Sequence, residues 1–365
     1  MQMESRNATD LYLTVGSPPM LRVDDLLEPI INRKLDVALM NEILASILTT
    51  RQRRDFELHM EMNTAIDLGE KGRFRVNILQ QRYQPAMVIR RIITRIPSFD
   101  DLNLPKLFEP LSLTKRGLIL LTGMTGSGKS TTLASMIDYR NGHSQGHIIT
   151  IEDPIEYYHE HKKCVVTQRE VGVDTEGYAI ALRNALRQRP DVILVGEVRD
   201  RDVMEQALTA AETGHLCLAT IHTNNAYQAI ERIVNMFPEE ANAQIRLNLA
   251  TNLRAIISQR LVRTVNGGLT LAIEVMINEG LIKELIMEGK INKISEVMAT
   301  NNTAGMITFD QSLMLLVQKG WISEEIALSQ SDMPSDMKIK IQKLRLGGEV
   351  GGLATLDTSH FNISE

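Results

Sequence analysis

The chain has 365 residues, enough for two independently cored domains, with two cysteines and a formal net charge of −5. That negative balance argues against a dedicated nucleic-acid binder. No apolar run approaches the ~18 residues of a membrane span, and the opening Met-Gln-Met-Glu-Ser-Arg lacks the apolar core of a secretory signal. Cys164 and Cys217 fit a reducing compartment, and without a C-x-x-C pair there is no zinc ribbon.

Residues 1–100 read as a small α+β domain. Leu11–Val15 and Leu21–Val23 flank a Gly-Ser-Pro-Pro turn, residues 36–50 have helical apolar spacing, and strand-like runs follow at 62–68, 73–80 and 86–93. A helix laid on a mostly antiparallel sheet is the expected architecture. In the second of these runs Phe74, Val76 and Ile78 alternate with Arg73, Arg75 and Asn77, which gives one apolar and one basic face. Arg90 and Arg91 follow in the next run; arginines on an exposed strand also serve solubility. Pro and Asp punctuation between Pro97 and Pro110 places a linker over residues 101–112.

Residues 113–345 read as an α/β domain, because strands and helices alternate from about residue 117. The expected strands are 118–122, 147–151, 191–195, 215–222 and 269–277. The expected helices are 130–137, 175–189 stopped by Pro190, one from the cap Asp200 to Gly214, a long one after Pro238, and a short helical set to about 345. Residues 346–365 lack a periodic apolar face and read as a flexible tail. His159, His161 and Cys164 are close enough for a metal, but a solvated polar loop is the better reading.

Residues 123–131, Gly-Met-Thr-Gly-Ser-Gly-Lys-Ser-Thr, follow an apolar strand and open a helix, the setting of a phosphate-binding loop. Gly123, Gly126 and Gly128 let the backbone turn so that the N–H groups of Thr125, Ser127 and their neighbours point at phosphate oxygens. Lys129 is placed for the β- and γ-phosphates of ATP, Ser130 for Mg2+, and Thr131 for the helix opening. Hydrolysis also needs acids at neighbouring strand ends. Asp191-Val-Ile-Leu-Val-Gly-Glu197 carries Glu197 to a sheet edge, and Ile148-Ile-Thr-Ile-Glu-Asp-Pro-Ile-Glu156 offers Glu152, Asp153 and Glu156, among which spacing does not choose. His215 and His222 bracket one strand, roughly 23 Å apart at strand rise, too far to share a metal.

Together these blocks resemble the Walker A, Asp, Walker B and His boxes of the secretion ATPase superfamily, and specifically type IV pilus retraction ATPases of the PilT/PilU family. The likeness spans nearly the whole chain, including Asp10-Leu-Tyr-Leu-Thr and Gly72-Arg-Phe-Arg-Val; Leu186-Arg-Gln-Arg-Pro-Asp and Thr167-Gln-Arg-Glu-Val-Gly-Val-Asp point to the PilU side. The resemblance implies a homohexamer with a PAS-like N-terminal domain and a RecA-like ATPase domain. It also implies Glu156 as catalytic glutamate, Glu197 as the magnesium-side acid, His215 and His222 as His-box residues, and Arg75 and Arg90 as nucleotide contacts. The implied partners are other copies of the chain, an inner-membrane platform protein and a paralogous retraction ATPase, with no nucleic acid. The implied location is cytoplasmic, at the membrane base of a pilus. Met124 stands where the family usually has Pro, and Leu281-Ile-Lys-Glu-Leu-Ile286 only loosely matches the retraction motif. The alternatives are an assembly or secretion ATPase of the same superfamily, a RecA-like nucleic-acid translocase, and a nucleotide-binding accessory subunit that works only beside a stronger retraction motor.

Overall fold

The computed structural model describes residues 2–6, 8–23, 26–69, 72–92, 95–300 and 305–346. Two compact units result, one comprising Met1–Arg95, Ile155–Tyr158 and Gly172–Asp174, the other the remaining described residues. The expected tail lies, apart from Leu346, outside the described residues.

The first unit runs α1 (Gln2–Ser5), β1 (Asp10–Thr14), β2 (Met20–Val23), β3 (Leu26–Pro29), α2 (Val37–Ile47), α3 (Thr50–His59), β4 (Glu61–Asp67), β5 (Arg73–Gln81) and β6 (Gln84–Arg91). The strands form an antiparallel sheet in the order β3-β2-β1-β6-β5-β4. Phe74, Val76 and Ile78 are buried, as their alternation requires, in a core shared with Met40, Leu44 and Phe56 of the helices. Asp36 caps α2 by accepting from the Leu39 N–H at 2.8 Å. Helix α3 was not expected: Phe56 is its one buried residue, so no apolar stripe announces it, and a capping box between Thr49 and Gln52 starts it.

The second unit runs α4 (Phe108–Ser112), β7 (Gly117–Thr122), α5 (Lys129–His143), β8 (Gly146–Glu152), β9 (Cys164–Glu170), α6 (Tyr178–Ala185), β10 (Val192–Val195), α7 (Arg201–Glu212), β11 (Leu216–Ile221), α8 (Ala226–Asn235), α9 (Asn242–Asn252), β12 (Leu253–Arg263), β13 (Leu269–Ile277), α10 (Leu281–Glu288), α11 (Ile294–Thr300), α12 (Phe309–Gln318), α13 (Glu324–Gln330) and α14 (Pro334–Arg345). Its sheet has the order β13-β12-β7-β11-β10-β8-β9, parallel throughout except for the antiparallel edge strand β13. Apolar cores cover both faces. The stretch expected as a linker, 101–112, packs into one of them through Leu104, Phe108 and Leu111, and the two units divide between Arg95 and Ile96.

Strand order decides where a ligand can sit. β7 lies between β12 and β11, and the next strand in sequence, β8, lies three places away beyond β11 and β10. Such a reversal opens a crevice at the carboxyl end of β7, where the phosphate-loop sequence begins.

Candidate active site

The loop leaves β7 after Thr122 and delivers Lys129 as the first residue of α5. Only glycine fits at 123: its φ is +143°, and a Cβ there would lie 2.5 Å from both the Gln259 carbonyl oxygen and Ser127 Oγ. Gly128, at φ +88°, caps α5 and turns the chain into the helix, while Gly126 and Thr125 lie exposed on the loop. Lys129 is buried, and its Nζ donates to the carbonyls of Gly123 and Met124, both at 2.8 Å. The Ser127 and Thr122 hydroxyl oxygens are buried with no hydrogen-bond partner. An anion with several acceptor oxygens answers the Lys129 ammonium and the positive end of a 15-residue helix together. Ser130 is exposed and Thr131 half-buried in the first turn of that helix. Met124 is 73% exposed, so its side chain is not needed for the loop's shape.

Strand β10 ends at Val195, and Gly196 and Glu197 follow. A side chain at 196 has no room: a Cβ would fall 2.9 Å from Tyr178 Oη and 3.2 Å from β8 backbone atoms. This packing accounts for glycine, rather than an acid, directly after the apolar run. Glu197 sits between two partners. Arg199 Nε donates to its Oε2 at 2.8 Å, and His222 Nε2 lies 3.3 Å from its Oε1. Arg199 also donates through Nη1 to Asp153 at 3.2 Å, so His222, Glu197, Arg199 and Asp153 form one chain across the ends of β11, β10 and β8. The hydrogen bond to Glu197 raises the Arg199 pKa above its ordinary value, against the opposing effect of burial. Burial, reinforced by Asp153, pushes the Tyr178 phenol upward and keeps it neutral. Arg199 and His222 line a cavity of about 760 Å³ with Gly123, Met124 and Thr125 of the loop.

The remaining candidates are placed differently. Glu152 accepts from Thr150 Oγ1 at 2.6 Å and from Gln168 Nε2 at 3.2 Å, which engages its carboxylate locally. Glu156 is exposed, in the Ile155–Tyr158 segment that groups with the first unit. His215 is not brought to the phosphate loop within this chain. It precedes β11, and its carbonyl accepts from the N–H of Gly117, where β7 begins, so parallel register holds it at the amino edge of the sheet. In the first unit Arg75 and Arg90 face each other across β5 and β6, and Arg90 Nε donates to Asp10 at 2.7 Å. His159 is buried rather than solvated as expected; burial lowers its pKa to about 4, and among the described residues no group of three or more acids, histidines and cysteines gathers to hold a metal.

Arg199 and Asp153 belong to the site, and sequence reasoning did not single out their pairing. Arg199 had one signal, its place two residues after the strand-end acid.

A parallel sheet with a phosphate loop at its switch point and acids on adjacent strand ends defines a P-loop ATPase. The chain belongs to the type II/IV secretion system protein family, whose model matches residues 8–304. It is 46% identical to the type IV pilus ATPase PilU of Pseudomonas aeruginosa, over 95% of this chain and 90% of that protein. With the type IV pilus retraction ATPase PilT of the same organism it shares 43% identity over 91% and 96% of the respective lengths. The crystal structure of the pilus retraction motor PilT with bound ADP superposes with a TM-score of 0.87 at 42% identity, covering 93% of this chain and 97% of that one.

Proposed function

We propose that this chain hydrolyses ATP to drive type IV pilus retraction, as a homohexamer on the cytoplasmic side of the inner membrane. Its partners in this reading are a platform protein and a paralogous retraction ATPase. The observation that carries it is the cavity shared by the phosphate loop, Arg199 and His222, with Glu197 bonded to both of the latter. ATP phosphates take the loop N–H groups and the α5 terminus, and Lys129 exchanges two carbonyl acceptors for phosphate oxygens. Mg2+, for which Ser130 and Glu197 are the holding residues, supplies charge neutralisation when bound. Glu156 serves as the base that orients water, the role that the family resemblance implies for it, while Glu152 is held by Thr150 and Gln168. His222 senses the terminal phosphate through the imidazole that now touches Glu197. Arg75 and Arg90 keep the nucleotide contacts that the family resemblance implies, whereas His215, at the amino edge of the sheet, takes no part in this site of its own chain.

The test is turnover of the purified chain together with pilus retraction in cells that have it as their only motor. Lys129→Ala is expected to lower ATP turnover by more than about 100-fold and to stop retraction; turnover at the wild-type rate would overturn the mechanism. Glu156→Gln is expected to abolish turnover and Glu152→Gln to retain it.

A further inference from the structure

Three consecutive residues of β12 send their side chains to three different parts of the second unit. Ser258 Oγ donates to Glu274 of β13 at 3.2 Å, and Gln259 Nε2 donates to Thr132 Oγ1 of α5 at 2.7 Å. Arg260, its side chain 19% exposed, does more. Its guanidinium lies 3.8 Å from the ring centroid of Phe309 in α12, and Nη1 donates to the carbonyl of Gln330, the last residue of α13. Nη2 donates to Asp332 at 2.6 Å and reaches the Asn224 carbonyl at 3.5 Å. Asp310 grips the same α13–α14 turn, accepting from Ser331 Oγ at 2.9 Å and from the Asp332 N–H at 3.0 Å.

Asn224 is two residues past His222. Two residues further on, the Ala226 N–H donates to Glu274 at 2.7 Å. The segment 222–226 therefore touches Glu197 at one end and is fastened to the β12–β13 hairpin at 224 and 226. One guanidinium joins that segment to the C-terminal helices, and no other side chain combines a stacking plane with several fixed donors. A cavity of about 800 Å³, lined by Gly123, Ser127, Asn224, Arg260, Phe309 and Asp332, separates this clasp from the phosphate loop and leaves both room to shift.

We propose that Arg260 is a positioning residue for ATP hydrolysis, tying the His222 segment to helices α12–α14 so that the set of His222 against Glu197 and the placement of those helices change together. This rests on the reading of His222 and Glu197 as nucleotide-facing groups. A merely structural anchor would need Phe309 and Asp332 alone; the reach to Asn224 is what links it to the site.

The experiment compares Arg260→Lys, Arg260→Ala, Asp332→Asn and His222→Ala in the full chain by ATP titration, ADP affinity and thermal unfolding. Lysine keeps the charge over Phe309 but cannot hold three acceptors in one plane. Arg260→Lys should lower kcat about tenfold, with KM, ADP affinity and Tm near wild type. Asp332→Asn should show the same pattern at about threefold and add little in the double variant. Wild-type kcat in Arg260→Lys, or kcat losses that track Tm across the three clasp variants, would overturn the coupling. If His222→Ala is slow while Arg260→Lys is normal, the coupling alone fails. If His222→Ala turns over normally, the reading of the site fails with it.

Discussion

Charge is gathered in two different ways in this molecule, at the carboxyl edge of the parallel sheet and on the basic face of the antiparallel one. At the edge, His222 lies against Glu197, Glu197 accepts from Arg199, and Arg199 also donates to Asp153, so each group is held by the next. On the antiparallel sheet Arg75 stands directly opposite Arg90, a like-charge pair, with Asp10 beyond Arg90 on β1. Arg90 is held by Asp10, whereas Arg75 Nε is buried with no hydrogen-bond partner. Opposed like charges lower sheet stability, so the edge is electrostatically satisfied and the sheet face is not. A satisfied cluster holds its geometry; an unsatisfied one attracts an anion.

Breaking the edge should have the larger effect. Glu197→Gln removes the charge that holds both His222 and Arg199, and turnover should fall on the order of 100-fold with little change in Tm. A loss below threefold would mean that the cluster is structural. On the sheet face, Arg75→Ala should lower turnover about tenfold while Tm stays level or rises, because a like-charge contact is relieved. Asp10→Asn acts oppositely, lowering Tm by roughly 4 °C and turnover little. If Arg75→Ala lowers Tm instead, the two regions are alike and the contrast fails. A smaller effect sharpens the edge geometry. Gly196→Ala forces a methyl against Tyr178 and should cost about 1–3 kcal/mol, measured by denaturant unfolding. Tyr178→Phe removes the nearest atom, so the double variant should recover part of that loss; strict additivity would refute the packing account.

The phosphate loop was fully legible because its chemistry requires particular backbone turns in consecutive residues, so Gly123, Gly128 and Lys129 stand together in sequence as they do in space. Glu197 was legible as the end of an apolar strand. The basic face was legible as alternation on β5, but the opposition of Arg75 and Arg90 depends on hairpin register. What stayed hidden was tertiary or atypical in pattern. The Arg199–Asp153 pair joins residues 46 apart in sequence. β12 interrupts its apolar run with Ser258, Gln259 and Arg260, whose partners become visible only after folding, and its edge-paired neighbour β13 was the strand that periodicity revealed. β3 is exposed along its whole length, so it has no alternation to detect.

The smallest expected effect concerns a carboxylate that belongs to neither charged region. Glu274 is fully buried, accepts from the Ala226 N–H and Ser258 Oγ, and burial pushes its pKa from 4.5 to about 7. The folded chain therefore holds this proton more tightly than the unfolded one, and stability must fall as pH rises across that interval. The contribution is complete below about 4.5 and is lost as pH passes through about 7. Between pH 6 and 8 the wild-type Tm should drop by roughly 2–4 °C. Glu274→Gln, which still accepts from Ala226 but carries no proton to release, should flatten that slope. An equal slope in the variant would assign the pH dependence elsewhere, whereas a flat wild-type profile would mean that Glu274 is more solvated than its hydrogen bonds imply.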